Sequence, residues 1–122
     1  MSSASFDSNI LIDALNGNSR AEAELERVDH AWISRVTWIE VMSGVTELSM
    51  SRTASLLSAF HIDELDEEVA ERAALLRRER RSLKLPDSVI FASALVRGRI
   101  LVTRNIKDFP ANMPGIRIPY TL

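Results

Sequence analysis

The segment Leu85–Val96, LPDSVIFASALV, decides how the rest of the chain is read. A proline and then an aspartate at the head of an apolar run mark a helix start: the ring stops the preceding element, and the carboxylate accepts from free N–H groups. Beyond Asp87, the residues Val89, Ile90, Phe91, Ala92, Ala94, Leu95 and Val96 leave no polar face, which is the pattern of a helix buried inside a domain. A carboxylate at the mouth of such a helix is costly unless something compensates it. Either the helix terminus does so alone, with Asp87 as its cap, or a bound cation shares the task.

Outward from this helix, the segments alternate between two periodicities. Upstream, SNILIDALNG (stopped by Gly17), SRAEAELERV (with Ala21, Leu25 and Val28 on one face), RTASLLSAF and DEEVAERAALLRRERRS read as helices. In the last of these, Val69, Ala73 and Leu76 face inward, and Glu68 and Arg72 are spaced as an i,i+4 pair. TWIEVMSGVTELS reads as a helix opened by a capping box of Thr37 and Glu40. Between the helices, residues 4–7, AWISRV and HIDEL read as strands, followed by the apolar RILVTR and finally GIRIPY. Strands alternating with helices imply one α/β domain over residues 1–122, with a central, mainly parallel sheet of four to five strands flanked by helices on both faces.

A chain of 122 residues buries roughly 65 to 70% of its unfolded surface, so it folds without a disulfide or structural metal. It has no cysteine, which excludes thiol catalysis and zinc–thiolate sites and fits a reducing compartment. His30 and His61 have no partner at metal-ligand spacing and are assigned polar or strand-edge roles. Trp32 and Trp38 are assigned to the core or an interface. The opening residues MSSASFDSN lack a signal-peptide pattern and no apolar run is of membrane-spanning length, so a soluble, cytoplasmic protein is expected. With 15 basic and 17 acidic side chains the net charge is −2, so any nucleic-acid contact relies on a local patch. RRERRSLK supplies one, with Arg77, Arg78, Arg80, Arg81 and Lys84 just before Asp87, and Arg104 is a further candidate for phosphate contact. The plain alternative for the run is dipole compensation on a solvated helix end.

In an open parallel sheet, ligands lie at the carboxyl ends of the strands. Asp7 ends the first strand, Glu40 falls in the helix after AWISRV, Asp87 begins the buried helix, and TRNIKDF follows the last core strand. Asp13, Asp29, Asp63 and Asp66 are assigned to solvated faces or turns. Singly, Asp87 and Glu40 read as ordinary helix caps. Together with Asp7 they fall on one edge of one sheet, where converging carboxylates repel one another unless a cation intervenes. Oxygen ligands without His or Cys point to Mg²⁺ or Mn²⁺, and so to in-line attack of a metal-activated water on a phosphodiester.

At these residues the chain resembles the PIN-domain ribonucleases, specifically the VapC-type toxins of toxin–antitoxin pairs. FDSNILIDAL, SRVTWIEVMSG, KLPDSVIFASAL and ILVTRNIKDF occur in the family's order and spacing. The resemblance implies an endoribonuclease with Asp7, Glu40 and Asp87 as metal-binding acids, supported by Ser8, Asn9 and Thr103. Many members carry a fourth acid where this chain has Asn105; here either Asp108 takes that place or Asn105 holds a metal-bound water. It also implies an RNA substrate, a cognate VapB-like antitoxin covering the site and a homodimer, with exposed apolar residues of RTASLLSAF as reasonable contacts.

Two rivals stand beside it. A receiver domain has adjacent acids after its first strand, an Asp after the third and a Lys after the last core strand, and this chain does not match that pattern. A catalytically impaired PIN-like domain, acting as an RNA- or antitoxin-binding partner in transcriptional autoregulation, matches the fold but gives no reason to keep mutually repelling acids together.

Overall fold

In the computed structural model, which describes residues 2–122, short strands alternate with helices. The order is β1 (Ser3–Phe6), α1 (Ser8–Leu15), α2 (Ser19–Glu26), β2 (His30–Ser34), α3 (Arg35–Ser43), α4 (Met50–Leu57), β3 (His61–Asp63), α5 (Glu67–Glu79), α6 (Leu85–Val96), β4 (Leu101–Val102) and β5 (Ile116–Arg117). The strands form one sheet in the order β3-β2-β1-β4-β5, and every pairing is parallel. The α/β class, the parallel sheet and the upper strand count expected from the sequence are all observed. No helix among the described residues is long and apolar enough to cross a membrane.

Alternation along the strands places the helices on the two faces. On β4, Val102 joins Phe6, Ile10, Leu11, Ala21 and Leu57 in one apolar cluster, while its neighbour Leu101 joins Leu83, Ile90, Phe91, Ala94 and Phe109 in another. Successive strand side chains point to opposite faces, so α1, α2 and α4 cover one side and α5 and α6 the other. Helix α6 is buried from Ser88 through Ala94, as its all-round apolar pattern requires, and Phe91 meets Phe109 edge-on with centroids 5.4 Å apart. Burying a large apolar side chain of this kind contributes about 1.5–3 kcal/mol. The inward assignment on α5 also holds, with Val69 and Ala73 buried and Leu76 half-buried. Gly17, at φ +83°, takes the left-handed conformation that ends α1.

Several local expectations are corrected. The Thr37–Glu40 capping box does not form, because α3 starts earlier: the Ser34 hydroxyl accepts from the Val36 amide at 3.1 Å. Thr37 is instead fully buried with its hydroxyl unpartnered. Asp87 is not the cap of α6, since Pro86 lies within the helical first turn and extended Lys84 precedes it, which leaves Asp87 inside that turn. Glu68 and Arg72 form no ion pair among the described residues, in keeping with how little such an exposed pair contributes.

Candidate active site

The strand order reverses its direction of growth between β1 and β4, and in an open parallel sheet the crevice for a ligand lies beyond the carboxyl ends of the strands at such a point. Asp7 follows β1 there. Its amide donates to the Val102 carbonyl at 2.9 Å, fixing it against the end of β4, and its extended backbone makes it the cap of α1. Its Oδ1 accepts from the Ser8 amide at 2.7 Å, and its Oδ2 from the Thr103 hydroxyl at 2.8 Å and the Asn9 side-chain amide at 3.3 Å. Burial pushes the Asp7 carboxyl above its ordinary range, and the nearby Glu40 charge adds to this, while the Thr103, Ser8 and Asn9 donors partly offset it. Ser8, Asn9 and Thr103, all expected to support the site, are therefore direct partners of Asp7 or, for Ser8, of Glu40 as well.

Glu40 reaches this crevice from the exposed side of α3, and its Oε1 accepts the Ser8 hydroxyl. Asp87 comes from the first turn of α6. Desolvation, followed by the charges of Asp7, Asp108 and Glu40, pushes its carboxyl from 3.8 up to about 6, with Lys84 opposing. The four acids singled out in the sequence thus share one electrostatic neighbourhood. Asn105 and Asp108 are tied to each other: the Asn105 side-chain amide donates to Asp108 Oδ2 at 3.0 Å, and the Asp108 amide to Asn105 Oδ1 at 3.2 Å. Each of Asn105 and Asp108 thus fixes the other's orientation.

The other buried acids follow a different rule. Asp13 accepts from Arg104 at 2.7 and 3.0 Å and from the Tyr120 hydroxyl at 2.7 Å. Asp63 is paired with Arg99, and Glu24 with Arg117 and Arg27. Asp13 and Asp63 are therefore not on solvated faces, as the sequence suggested, but neutralised inside. Asp29 is exposed, and Asp66 is exposed as the cap of α5. By contrast, Asp7, Glu40 and Asp87 form no ion pair with any Arg or Lys among the described residues, and Asp108 has only Arg80 at 3.9 Å.

Among the described residues no group of three or more Asp, Glu, His or Cys side chains is arranged to hold a metal ion unaided. The donor set fits Mg²⁺ or Mn²⁺ on other terms: such an ion is bound by one or two carboxylates and keeps several waters, with substrate phosphate completing its shell.

The cations separate by environment. Arg78 and Arg81 form no ion pair among the described residues and line a groove between α5 and α6 with Arg77, Leu65, Leu85 and Val89. Arg77 also donates to the Leu83 carbonyl at 3.1 Å, and Arg80 and Lys84 face Asp108 and Asp87. Arg104, a candidate for phosphate contact in the sequence, instead turns its guanidinium to Asp13. Asp13 and Tyr120 were missed as neighbours of the site. The signal for Asp13 was its place three residues after Ile10, on the apolar face of α1.

Residues 5–111 match the model of the PIN domain. The chain belongs to the PIN domain family. That span carries Asp7, Glu40, Asp87 and Asp108, so the whole crevice lies within the PIN match. A chain of a toxin–antitoxin complex from Klebsiella pneumoniae superposes with a TM-score of 0.90 at 43% identity, over 98% of this PIN chain and 99% of that one. FitAcB from Neisseria gonorrhoeae aligns at 23% identity over 98% and 99% of the two chains, with a TM-score of 0.77. VapBC2 from Rickettsia felis, bound to a DNA fragment from its promoter, aligns at 21% identity over 94% and 96%, with a TM-score of 0.76. These last two share the PIN fold. The resemblance drawn from the four sequence segments is thus borne out for the PIN domain, with a chain of a toxin–antitoxin complex as a 43% identical relative. No curated protein matches the chain.

Proposed function

We propose that this PIN protein is a Mg²⁺- or Mn²⁺-dependent endoribonuclease toxin, cytoplasmic and neutralised by a VapB-like antitoxin. One contrast carries the reading: the buried acids Asp13, Asp63 and Glu24 are each matched by an arginine, whereas buried Asp7 has none and shares its neighbourhood with half-buried Asp87 and exposed Glu40, which have none either. A fold does not retain uncompensated, mutually repelling carboxylates without a cation to offset them. A bound divalent ion supplies charge neutralisation at the scissile phosphate and an acidified water for in-line attack. Asp7 and Asp87 would hold it, with Glu40 beside them. Thr103 and Asn9 oppose the upward push of burial on Asp7 and aim its carboxylate, Ser8 holds Glu40 by one oxygen and leaves the other free, and Asn105 steers Asp108. Arg78, Arg81 and Lys84 lie on the approach from α5, where phosphates of a single strand are drawn in.

For the antitoxin, an apolar groove lined by Leu15 of α1, Leu25 of α2 and Leu56 of α4 offers a seat, with Glu22, Glu26 and Arg52 at its margin.

The test is incubation of antitoxin-free protein with a mixed RNA pool in Mg²⁺, Mn²⁺ or EDTA, beside Asp87→Asn. Metal-dependent cleavage lost in the variant supports the nuclease. Absence of cleavage on every RNA class turns the reading to an RNA- or antitoxin-binding PIN domain acting in transcriptional autoregulation, which the promoter-bound relative makes the second choice.

A further inference from the structure

Arg104 follows Thr103 at the edge of the acid site, yet its guanidinium turns Nε and Nη2 to Asp13. It grips Asp13 by two bonds, at 2.7 and 3.0 Å, and Asp13 is itself buried and held by the Tyr120 hydroxyl at 2.7 Å. Burial pushes the Asp13 carboxyl up, but the Arg104 and Tyr120 bonds and the Arg104 charge outweigh it and hold it below its ordinary value. The backbone amide of the same Arg104 donates to Asn9 Oδ1 at 3.1 Å. That bond fixes which way the Asn9 side chain faces, so its Nδ2 is directed at Asp7 Oδ2 and Thr103 Oγ1, both at 3.3 Å. An unbroken path therefore runs from Tyr120 through Asp13, Arg104 and Asn9 to Asp7, joining the C-terminal segment to the first acid of the site.

We propose that Asp13, Arg104 and Tyr120 are positioning residues: they clamp the turn after β4 so that Asn9 and Thr103 aim the Asp7 carboxylate, and Arg104 does not act as an RNA contact. This inference rests on the nuclease reading and adds to it the device that orders its first acid. The chemistry favours arginine over lysine at this position, because a planar fork engages both carboxylate oxygens and a single ammonium does not. Partners that orient a metal-binding group typically change metal affinity or activity 10- to 100-fold when removed.

The experiment measures Mn²⁺ binding to the metal-free protein by calorimetry, kcat and KM for RNA cleavage, and the salt dependence of RNA binding. It uses wild type, Arg104→Lys, Arg104→Gln and Tyr120→Phe. Tyr120→Phe keeps the ring and removes only the hydroxyl, so it preserves the packing of the C-terminal segment. The expected result is Mn²⁺ affinity lowered about 10-fold or more in both Arg104 variants, and in the same direction but less in Tyr120→Phe. In addition, kcat should fall with KM unchanged, lysine should give no rescue, and the salt slope should be unaltered. Rescue by lysine, or a salt slope reduced by about one in Arg104→Gln, identifies a phosphate contact and overturns the inference. Wild-type Mn²⁺ affinity retained in both Arg104 variants also overturns it, while the nuclease reading stands. Failure of wild type itself to bind Mn²⁺ overturns the nuclease reading, and the inference with it.

Discussion

Replacing Asp87 by Asn should make the metal-free protein more stable, and the size of the effect follows from the crevice. The folded state holds a proton on Asp87 up to about pH 6, against an ordinary value of 3.8, through burial and the charges of Asp7, Asp108 and Glu40. Between those values the native state binds more protons than the unfolded state, so stability is fully present below 3.8 and falls as pH rises toward 6. At 1.36 kcal/mol per decade the difference corresponds to roughly 3 kcal/mol. Asp87 is only half-buried, so solvent screening reduces this to roughly 1–2 kcal/mol. Asparagine keeps the shape and removes the charge. Urea unfolding in EDTA should therefore find Asp87→Asn about 1–2 kcal/mol more stable than wild type at pH 7.5, and no more stable near pH 4. For a chain of this size that is a Tm difference of about 3–10 °C. Adding Mg²⁺ at about 100 times its Kd should stabilise wild type by about 2.7 kcal/mol and the variant by less. A variant no more stable than wild type at pH 7.5, or a difference independent of pH, would refute the claim that Asp87 is uncompensated.

Asp7→Asn should lower metal-dependent RNA cleavage by about 10²- to 10³-fold, the scale for losing one group that stabilises transition-state charge, with the fold intact by circular dichroism. Thr37→Val removes a fully buried hydroxyl that has no partner, so it should raise stability by about 1 kcal/mol in urea; a loss of stability would mean the hydroxyl is satisfied in solution. Arg99→Met leaves the buried Asp63 carboxylate with only Arg97 at 4.0 Å and removes the guanidinium 4.2 Å over Trp32, and should cost about 3 kcal/mol by the same assay. Arg78→Gln and Arg81→Gln should each reduce the salt slope of RNA binding by about one, and an unchanged slope would remove them from the RNA path.

The fold was legible because its signals are local. The uninterrupted apolar run of α6 and the left-handed glycine after α1 each state their structure within a dozen residues, and parallel pairing follows from helical crossovers, whereas β1, SASF, has no β-branched residue and is read as a strand only from its place in the alternation. Helix starts were less so. Ser34 and Thr37 both offer a hydroxyl ahead of an apolar run, and which of them caps α3 is settled by where β2 ends against β1 and β3.

The acids mark the deeper limit. Asp13 and Asp87 are each an aspartate on a largely apolar helix, and no local feature assigns one to structure and the other to chemistry. The difference is an arginine 91 residues further along, which the turn after β4 delivers to Asp13, while α6 brings Asp87 to the other three acids and to no arginine. A carboxylate whose cation comes from its own chain is part of the architecture. One with only Lys84 to oppose its shift, beside Asp7 and Glu40 that have no ion pair, is where the proposed site takes its cation from outside, and only long-range pairing distinguishes the two.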